Sequence, residues 1–251
     1  SGLVSRPPLR APHHSTSLVA MVGGGTSSLR PGEISLATNG VLFLDELGEF
    51  APSVLDALRQ PLEEGVVRVA RAKSSVQLPA KFLLVAATNP CPCGEGTPGL
   101  CVCDDRAKQK YLRRFSGPLL DRFDLRVAVT RPHVDELLAA KPAESSKDIA
   151  LRVATARELA ISRNGCLNSA LSADALEKCA PLSPAAASLL RHHVERGRLS
   201  GRGYHRIRRV ARTVSDLRDQ SECVDEVHVA VALALRVGVQ PQFSGDKVVQ
   251  A

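Results

Sequence analysis

The sequence predicts an α/β fold in which a parallel sheet is followed by a smaller, all-helical domain. Two apolar runs, Val41–Leu44 and residues 82–87, each end in polar residues, as buried parallel strands do where a ligand binds at their carboxyl ends. Beyond Arg131 and Pro132 the pattern changes to amphipathic segments with helical spacing. With 251 residues, 44% of them hydrophobic, the chain can bury one large core or two smaller ones.

The first apolar run delivers two adjacent carboxylates, Asp45 and Glu46. Four consecutive apolar residues are typical of a central parallel strand that is buried on both faces. One carboxylate at the end of such a strand can hold Mg²⁺, while its neighbour polarises a water for attack on a phosphoryl group, which is the logic of a Walker B motif. The alternative is that both residues only begin the next helix, whose dipole favours acidic side chains there.

Two elements are predicted between the strands. Residues 51–62 carry apolar side chains at helical spacing, which predicts one helix packed on the sheet. Residues 66–70 and 74–78 are β-type runs around a short basic segment, which predicts a hairpin with Arg71 and Lys73 at its tip. These two cations and the basic insert around Arg30 are the candidate DNA contacts, because Lys and Arg neutralise phosphates irrespective of base sequence. The alternative is an ordinary solvated turn.

The second apolar run ends in Asn89, followed by Pro90. If the two strands are neighbours in the sheet, Asn89 lies beside Asp45 and Glu46, where its amide can orient the attacking water or contact the γ-phosphate. The alternative is a strand-ending Asn before proline, which is a common turn signal.

A phosphate-binding loop is missing from the 251 residues. No Gly-x-x-x-x-Gly-Lys-Ser/Thr occurs, and no Lys follows the glycine cluster at residues 23–25. The chain opens on Ser1 instead of Met, so we expect the interior of a longer protein. His13 and His14 can bind a metal or a phosphate, but adjacent side chains point apart in an extended chain, and a structural or surface role is expected.

Composition excludes several classes of protein. No apolar run approaches the length of a membrane span and no signal pattern opens the chain, so we expect a cytoplasmic protein without a membrane partner. A formal charge of +7 and a pI of about 9.2 suit a polyanionic partner but are also common in proteins without one. With no Trp and 3% aromatic residues, any nucleic acid is expected to be bound through its phosphates.

Four of the seven cysteines lie in one loop, residues 90–104, as two Cys-x-Cys pairs. They are Cys91, Cys93, Cys101 and Cys103. In a reducing cytosol clustered thiols favour a metal, and four thiolates can form a closed tetrahedral Zn²⁺ site that stabilises a loop without a core. Because Cys-x-Cys spacing is less usual than Cys-x-x-Cys, reduced free thiols and redox pairs remain as alternatives.

The helical region is read from its apolar periodicity. Helices are predicted at residues 148–161, 172–180, 184–197, 202–219 and 224–237. The fourth helix opens on Arg202 and continues with Arg206, Arg208 and Arg209, for most of which a solvated basic face is expected. A loose tail is expected at residues 241–251.

Five segments together carry a resemblance to a known family. They are RAPHH at 10–14, RPGEISLA at 30–37, VLFLDE at 41–46, ATNPCPCG at 87–94 and LLDRFDL at 119–125. In combination they closely resemble the magnesium-chelatase-like AAA+ ATPases, in their ComM (YifB-type) competence branch, over nearly the whole chain. The resemblance implies an AAA+ P-loop NTPase core with β-hairpin inserts and a helical lid. It also implies ring assembly, an association with DNA branch migration in natural transformation, and a phosphate loop and further domain before Ser1.

The resemblance implies a role for each matching residue. Asp45 matches the Mg²⁺-associated Walker B Asp, Glu46 the catalytic Glu and Asn89 the sensor-1 residue. Arg122 matches the arginine finger that reaches the nucleotide of a neighbouring subunit. Arg202 matches sensor 2, which contacts ATP from the lid.

The assignment of Arg122 leaves alternatives open. Its guanidinium can instead form a salt bridge with the flanking Asp121 or Asp124. Arg113 and Arg114 are further candidates for the finger.

The expected domains are a core at residues 1–131, a lid at 132–240 and the tail. The expected function is ATP hydrolysis with Mg²⁺ in a hexameric ring that drives DNA remodelling or branch migration. A chelatase-type ATPase that remodels proteins is the alternative. A third possibility is a truncated, catalytically silent fragment.

Overall fold

The computed structural model of the protein describes residues 6–25, 28–71, 74–96, 100–115, 117–129 and 144–237. Their contacts form two compact units that divide between Phe123 and Asp124. The predicted boundary at residues 131 and 132, like the predicted tail, lies outside the described residues.

The first unit contains a parallel three-stranded sheet, which confirms the predicted α/β class. The strands β1 (Leu9–Arg10), β4 (Val41–Leu44) and β7 (Leu83–Ala86) lie in the order β1-β4-β7. In the central strand β4, Leu42 and Leu44 are fully buried. Parallel pairing sets Leu44 opposite Ala86, so the carboxyl ends of β4 and β7 lie side by side.

Strand β7 lies at an edge of the described sheet, although its continuous apolar sequence is typical of a strand buried on both faces. Leu83 is 62% exposed and Val85 is 39% exposed, while Leu84 and Ala86 pack against the core. Within the described part of the chain, β4 is the one strand that pairs with β7. Its outer edge and one of its faces are therefore open.

Two antiparallel hairpins extend this unit. The predicted hairpin is confirmed as β5 (Val66–Arg71) and β6 (Ser74–Pro79), with Arg71 opposite Ser74. Lys73 and the side chain of Arg71 lie outside what the structure describes. The other hairpin, β2 (Gly23–Gly24) with β3 (Arg30–Pro31), has no counterpart in the sequence prediction.

The helices of the first unit are short. They are α1 (Leu18–Val22), α2 (Glu33–Leu36), α3 (Pro52–Ala57), α4 (Arg59–Glu64), α5 (Asp105–Leu112) and α6 (Gly117–Leu120), with a 3₁₀ turn at Leu47–Glu49. The single helix predicted at residues 51–62 is wrong, because Leu58 separates α3 from α4. Pro61 has no N–H to donate to a carbonyl four residues earlier, so the helix restarts and Pro61 falls within the first turn of α4.

The core of the first unit lies between the sheet and these helices. Its largest fully buried apolar side chains are Met21, Ile34, Leu42, Leu44, Phe50, Leu55, Leu58 and Leu119. This core places the carboxyl end of β4 on a fixed support.

The second unit is helical, as predicted. Its helices are α7 (Ser146–Asn164), α8 (Ala173–Cys179), α9 (Pro184–Glu195), α10 (Gly201–Arg218) and α11 (Glu226–Val237), with a 3₁₀ turn at Asn168–Ala170. A serine caps each of the first four helices by accepting a backbone N–H. Among the described helices, none combines the length and hydropathy needed to cross a bilayer.

The solvated basic face predicted for α10 is wrong for Arg208. Its side chain is 1% exposed, pairs with Glu177 and donates to the carbonyl oxygens of Leu176 and Ala180. These contacts to the two terminal nitrogens offset much of the cost of burying the guanidinium, although its Nε has no hydrogen-bond partner among the described residues. Arg206 pairs with Asp124 at 2.9 Å, and its side chain is 19% exposed.

Candidate active site

Asp45 and Glu46 leave the carboxyl end of β4 through a tight turn. Glu46 adopts the left-handed conformation, with φ 51° and ψ 46°. A non-glycine residue held in a sparsely populated conformation of this kind costs about 1–3 kcal/mol and is characteristic of functional sites. The Asp45 carboxylate accepts the backbone N–H of Glu46 at 2.9 Å, and the N–H of Leu47 donates to the carbonyl of Ala87 at 2.8 Å. The turn is therefore tied to the end of the neighbouring strand β7.

His14 contacts Glu46, which the sequence analysis missed. The imidazole Nδ1 lies 2.9 Å from the Glu46 Oε2, with side-chain exposures of 31% and 55%. The His14 ring meets the edge of Phe50, with the centroids 6.5 Å apart. Because β1 lies parallel to β4, residues that follow β1 approach the same sheet edge as the two carboxylates. That shared edge was the available signal in the sequence, in a segment read as structural or surface.

Asn89 follows β7 and lies at this same sheet edge, because β4 and β7 are parallel neighbours as predicted. The residue before it, Thr88, shares a hydrogen bond of 2.9 Å with the hydroxyl of Tyr111 on α5. Tyr111 is 6% exposed and packs against Gly48, where a Cβ would lie 2.5 Å from ring atoms. A glycine two residues beyond Glu46 thus lets α5 approach the end of β7.

Arg122 faces into the first unit, with a side chain that is 9% exposed. Its guanidinium forms an ion pair with Glu63 on α4 at 2.6 Å. It also donates to the carbonyl oxygens of Arg59, at 3.0 Å, and Pro118. Glu63 is a partner that the sequence analysis did not consider, because it lies far from Arg122 along the chain.

The other predicted cations occupy different places. Arg114 donates to the carbonyl of Gly48 and to the Glu49 carboxylate, the latter at 3.2 Å. Arg113 is exposed at the end of α5. Arg202 is exposed in the first turn of α10, in the second unit, and its sensor role stays a prediction.

The four loop cysteines come together in space. Their Sγ atoms all lie within 4.8 Å of one another, and they are Cys91, Cys93, Cys101 and Cys103. All four are free thiols. A hydrogen bond from the Glu95 backbone, followed by one from the Cys91 thiol, lowers the pKa of Cys93 to about 6, whereas desolvation raises the pKa of the neighbouring Cys103 to about 11. This cluster can bind a metal ion such as zinc.

The edge formed by β4 and β7 suits the chemistry of a hydrated metal and a phosphoryl group. It offers a carboxylate at Asp45, a second carboxylate at Glu46 and an amide at Asn89. Carboxylate oxygens are preferred ligands of Mg²⁺, and a neighbouring carboxylate can accept a proton from water. The contacts that hold these residues come from the core, α5 and the segment after β1.

Known proteins match the chain over most of its length. The family model for magnesium chelatase, subunit ChlI, matches residues 1–137, and the model for its C-terminal part matches residues 143–236. Competence protein ComM of Haemophilus influenzae is 44% identical over 234 residues, which cover 93% of this chain and 46% of ComM. Uncharacterized protein YifB of Escherichia coli is 43% identical over 230 residues, which cover 91% of this chain and 45% of YifB.

A further relative gives the same picture. An uncharacterized protein of Mycobacterium tuberculosis is 46% identical over 239 residues, which cover 93% of this chain and 47% of that protein. The chain spans about half the length of the curated relatives it matches. With two family models covering most of its residues and these relatives across its length, the chain belongs to the magnesium-chelatase-like AAA+ family, in the branch of ComM and YifB.

Proposed function

We propose that this chain supplies the metal-binding and water-activating residues of an ATP-hydrolysing AAA+ site that uses Mg²⁺. The observation that carries the proposal is the parallel register of β4 and β7, since it brings Asp45, Glu46 and Asn89 to one sheet edge. Asp45 holds the hydrated Mg²⁺, directly or through water. Asn89 orients the attacking water or contacts the γ-phosphate.

Glu46 is the proposed base. Water forms a bond to the γ-phosphorus, the bond from that phosphorus to the bridging oxygen of ADP breaks, and Glu46 takes the proton of the water. The left-handed turn at Glu46 supports this role, because it lets the two adjacent carboxylates point in different directions at the end of β4. His14 then holds one carboxylate oxygen of the base.

Binding of the ATP phosphates requires a phosphate-binding loop, and these 251 residues do not contain the sequence motif of one. We propose that a segment present in longer family members supplies it and pairs along the outer edge of β7. The exposed backbone edge of β7, together with the exposed Leu83 and Val85, supports that position. By itself the 251-residue chain would then be catalytically silent.

Arg122 and Arg202 are proposed to complete the site across subunits and from the lid. For Arg122 to act as an arginine finger, it must exchange Glu63 for a γ-phosphate of the neighbouring subunit. A planar guanidinium can make that exchange, because carboxylate and phosphate offer it similar paired acceptors. Assembly of a hexameric ring would supply the phosphate.

The proposed substrate of the ring is DNA, remodelled by branch migration. The β5–β6 hairpin, the two basic residues Arg71 and Lys73 at the junction of its strands in the sequence, and the formal charge of +7 support a DNA-binding pore. A chelatase-type remodelling of a protein partner is the second candidate, and it is favoured by the family description as magnesium chelatase. For the cysteine cluster, the proposed ion is Zn²⁺. The cytoplasmic location stays a prediction from sequence.

The first experiment measures Mg²⁺-dependent ATP turnover by the complete gene product and its Glu46→Gln variant. We expect turnover to fall by about 10²–10⁴-fold, the usual contribution of a general base, while ATP binding is retained. The matched control is Glu49→Gln, a nearby carboxylate that contacts Arg114. Equal turnover in wild type and Glu46→Gln would refute the assignment of the base.

A second experiment separates the substrates. Stimulation of turnover by DNA supports a DNA motor, whereas turnover that ignores DNA supports the remodelling of a protein. ATP binding by residues 1–251 alone would contradict the proposal that the phosphate grip comes from outside this segment.

A further inference from the structure

We infer that the four cysteines form a closed zinc site, and that this site fixes the orientation of the Asn89 side-chain amide. The assignment of zinc depends on the loop alone. The role of the site in positioning Asn89 rests on the proposed ATPase function.

The sulfur atoms have the spacing of a single tetrahedral ion. The Sγ of Cys91 lies 3.4 Å from that of Cys93 and 3.6 Å from that of Cys101, and the latter two are 3.7 Å apart. A zinc–sulfur bond of about 2.3 Å in a regular tetrahedron places neighbouring sulfur atoms about 3.8 Å apart. Four sulfurs within 4.8 Å therefore enclose one ion. Four thiolates around one site select zinc among the common divalent ions.

The cysteine loop needs a bound metal ion to hold it closed, because its apolar side chains do not form a core. Leu100 is 58% exposed and Val102 is 87% exposed, while Cys91 is 2% exposed. Burial of side chains therefore contributes little to the free energy that holds the loop closed. Metal–sulfur bonds can supply it, as they do in small domains whose folding depends on zinc.

The proposed site closes a ring of contacts around Asn89. Cys91 lies two residues after Asn89, and Cys103 directly precedes Asp104, whose carboxylate caps α5 by accepting the N–H of Ala107 at 2.6 Å. From α5, Tyr111 bonds back to Thr88, the residue before Asn89. The metal would join the two ends of the loop, so that the backbone on both sides of Asn89 is fixed.

The loop also lies against the Asn89 side chain itself. A Cβ placed on Gly94 would lie 3.8 Å from both the Cγ and the Nδ2 of Asn89. Gly94 has a φ of +81°, and its N–H donates to the Cys91 carbonyl at 3.0 Å. A turn that begins at a metal ligand thus borders the amide. The cysteines are positioning residues that act through Asn89.

The first test is the metal content of the chain, purified under reducing conditions without chelator. We expect about one zinc per chain, and replacement by Co²⁺ should give the intense charge-transfer and visible bands of tetrahedral thiolate ligation. Cys101→Ser and Cys103→Ser should lower the zinc content, whereas Cys223→Ser, in the second unit, should keep it. A folded wild-type chain without zinc, with iron in its place, or with disulfides between these cysteines would overturn the site.

The second test measures hydrogen–deuterium exchange in the complete gene product before and after zinc removal. Exchange should rise in a peptide spanning residues 87–93 and stay unchanged in one from α9. Cys101→Ser should lower kcat while KM for ATP is unchanged. Unchanged exchange and kcat after zinc loss would overturn the positioning role. Zinc present without any ATPase activity in the wild type would refute the proposed function and leave the zinc assignment intact.

Discussion

The imidazole of His14 donates a hydrogen bond of 2.9 Å to the Glu46 carboxylate, across 32 positions of sequence. His13, its neighbour, instead bonds Ser15 Oγ at 2.8 Å. The adjacent histidines therefore serve different partners, although the sequence makes them look equivalent.

Replacing His14 by Ala is expected to lower kcat of the complete gene product with KM for ATP unchanged. A hydrogen bond to a charged group contributes about 1.5–3 kcal/mol, so its loss from an oriented base corresponds to roughly a ten- to hundredfold fall in rate. Steady-state ATPase assays check this, and the control is His192→Ala, an exposed histidine on α9. If both variants fall equally, the His14 contact has no specific role in turnover.

Arg122→Ala is expected to lower ATP turnover by about 10³–10⁵-fold, as loss of an arginine finger does. If the residue acts on a neighbouring subunit, mixing Arg122→Ala with Glu46→Gln should restore activity, because mixed interfaces combine an intact base with an intact finger. ATPase assays of mixed rings measure this. If mixing the two variants does not restore ATP turnover, Arg122 does not belong to a site that is shared between subunits.

The same experiment has two controls. Glu63→Gln removes the ion-pair partner seen here and should retain turnover, since Arg122 would be released more readily for phosphate. Arg113→Ala tests the exposed alternative on α5.

The hairpin prediction concerns DNA affinity. Changing Arg71 and Lys73 together to Ala should weaken DNA binding and reduce the slope of log K against log salt by about 1–2, as expected for two lost phosphate contacts. Arg68→Ala is the matched control, because Arg68 lies on the same strand and pairs with Glu64. Affinity measured at several salt concentrations decides the point, and an unchanged slope would exclude the tip from the DNA interface.

The second unit depends on a buried carboxylate. Asp216 is fully buried and pairs with Arg212, itself 2% exposed, and with Arg163, both at 2.8 Å. Asp216→Asn should lower the free energy of unfolding at pH 7 by about 3–5 kcal/mol, since it leaves the buried Arg212 without its carboxylate partner. Denaturant unfolding measures this. The exposed Glu158→Gln on α7 should shift it by less than about 0.5 kcal/mol.

The effect should depend on pH. Burial alone would raise the pKa of Asp216, but hydrogen bonds from Arg163, Asn168 and Arg212 hold that pKa below its usual 3.8. A lowered folded-state pKa stabilises the fold above about pH 3.8, and the contribution is lost as the pH falls through the lowered value. The difference in the free energy of unfolding between wild type and Asp216→Asn should therefore become smaller only in strong acid. A gap that closes near neutral pH would contradict this assignment.

Local pattern was enough to predict much of the fold. The apolar runs predicted β4, β7 and their polar ends, and helical spacing located the helices of the second unit to within a few residues. Clustering in sequence also found the cysteines, because a short loop keeps its ligands close.

The ion pairs between residues that are far apart in the sequence could not be predicted. The partners Glu46 for His14 and Glu63 for Arg122 lie on other elements, so no local pattern contains them. The solvated position predicted for Arg208 was wrong for the same reason, because its partner Glu177 lies on another helix and the sequence alone does not distinguish a buried arginine from an exposed one. The break between α3 and α4 was different, since Pro61 was a local signal that was overlooked.

The open strand β7 has a practical consequence for anyone who produces these 251 residues alone. In the part of the chain that the structure describes, no strand pairs with the outer edge of β7, so its row of backbone donors and acceptors beside the exposed Leu83 and Val85 is a template on which a second molecule can add its own strand. Such growth depends on concentration and leads to aggregates instead of defined rings. A Val85→Lys substitution should suppress it, and a preparation as prone to aggregation as the wild type would locate the adhesive surface elsewhere.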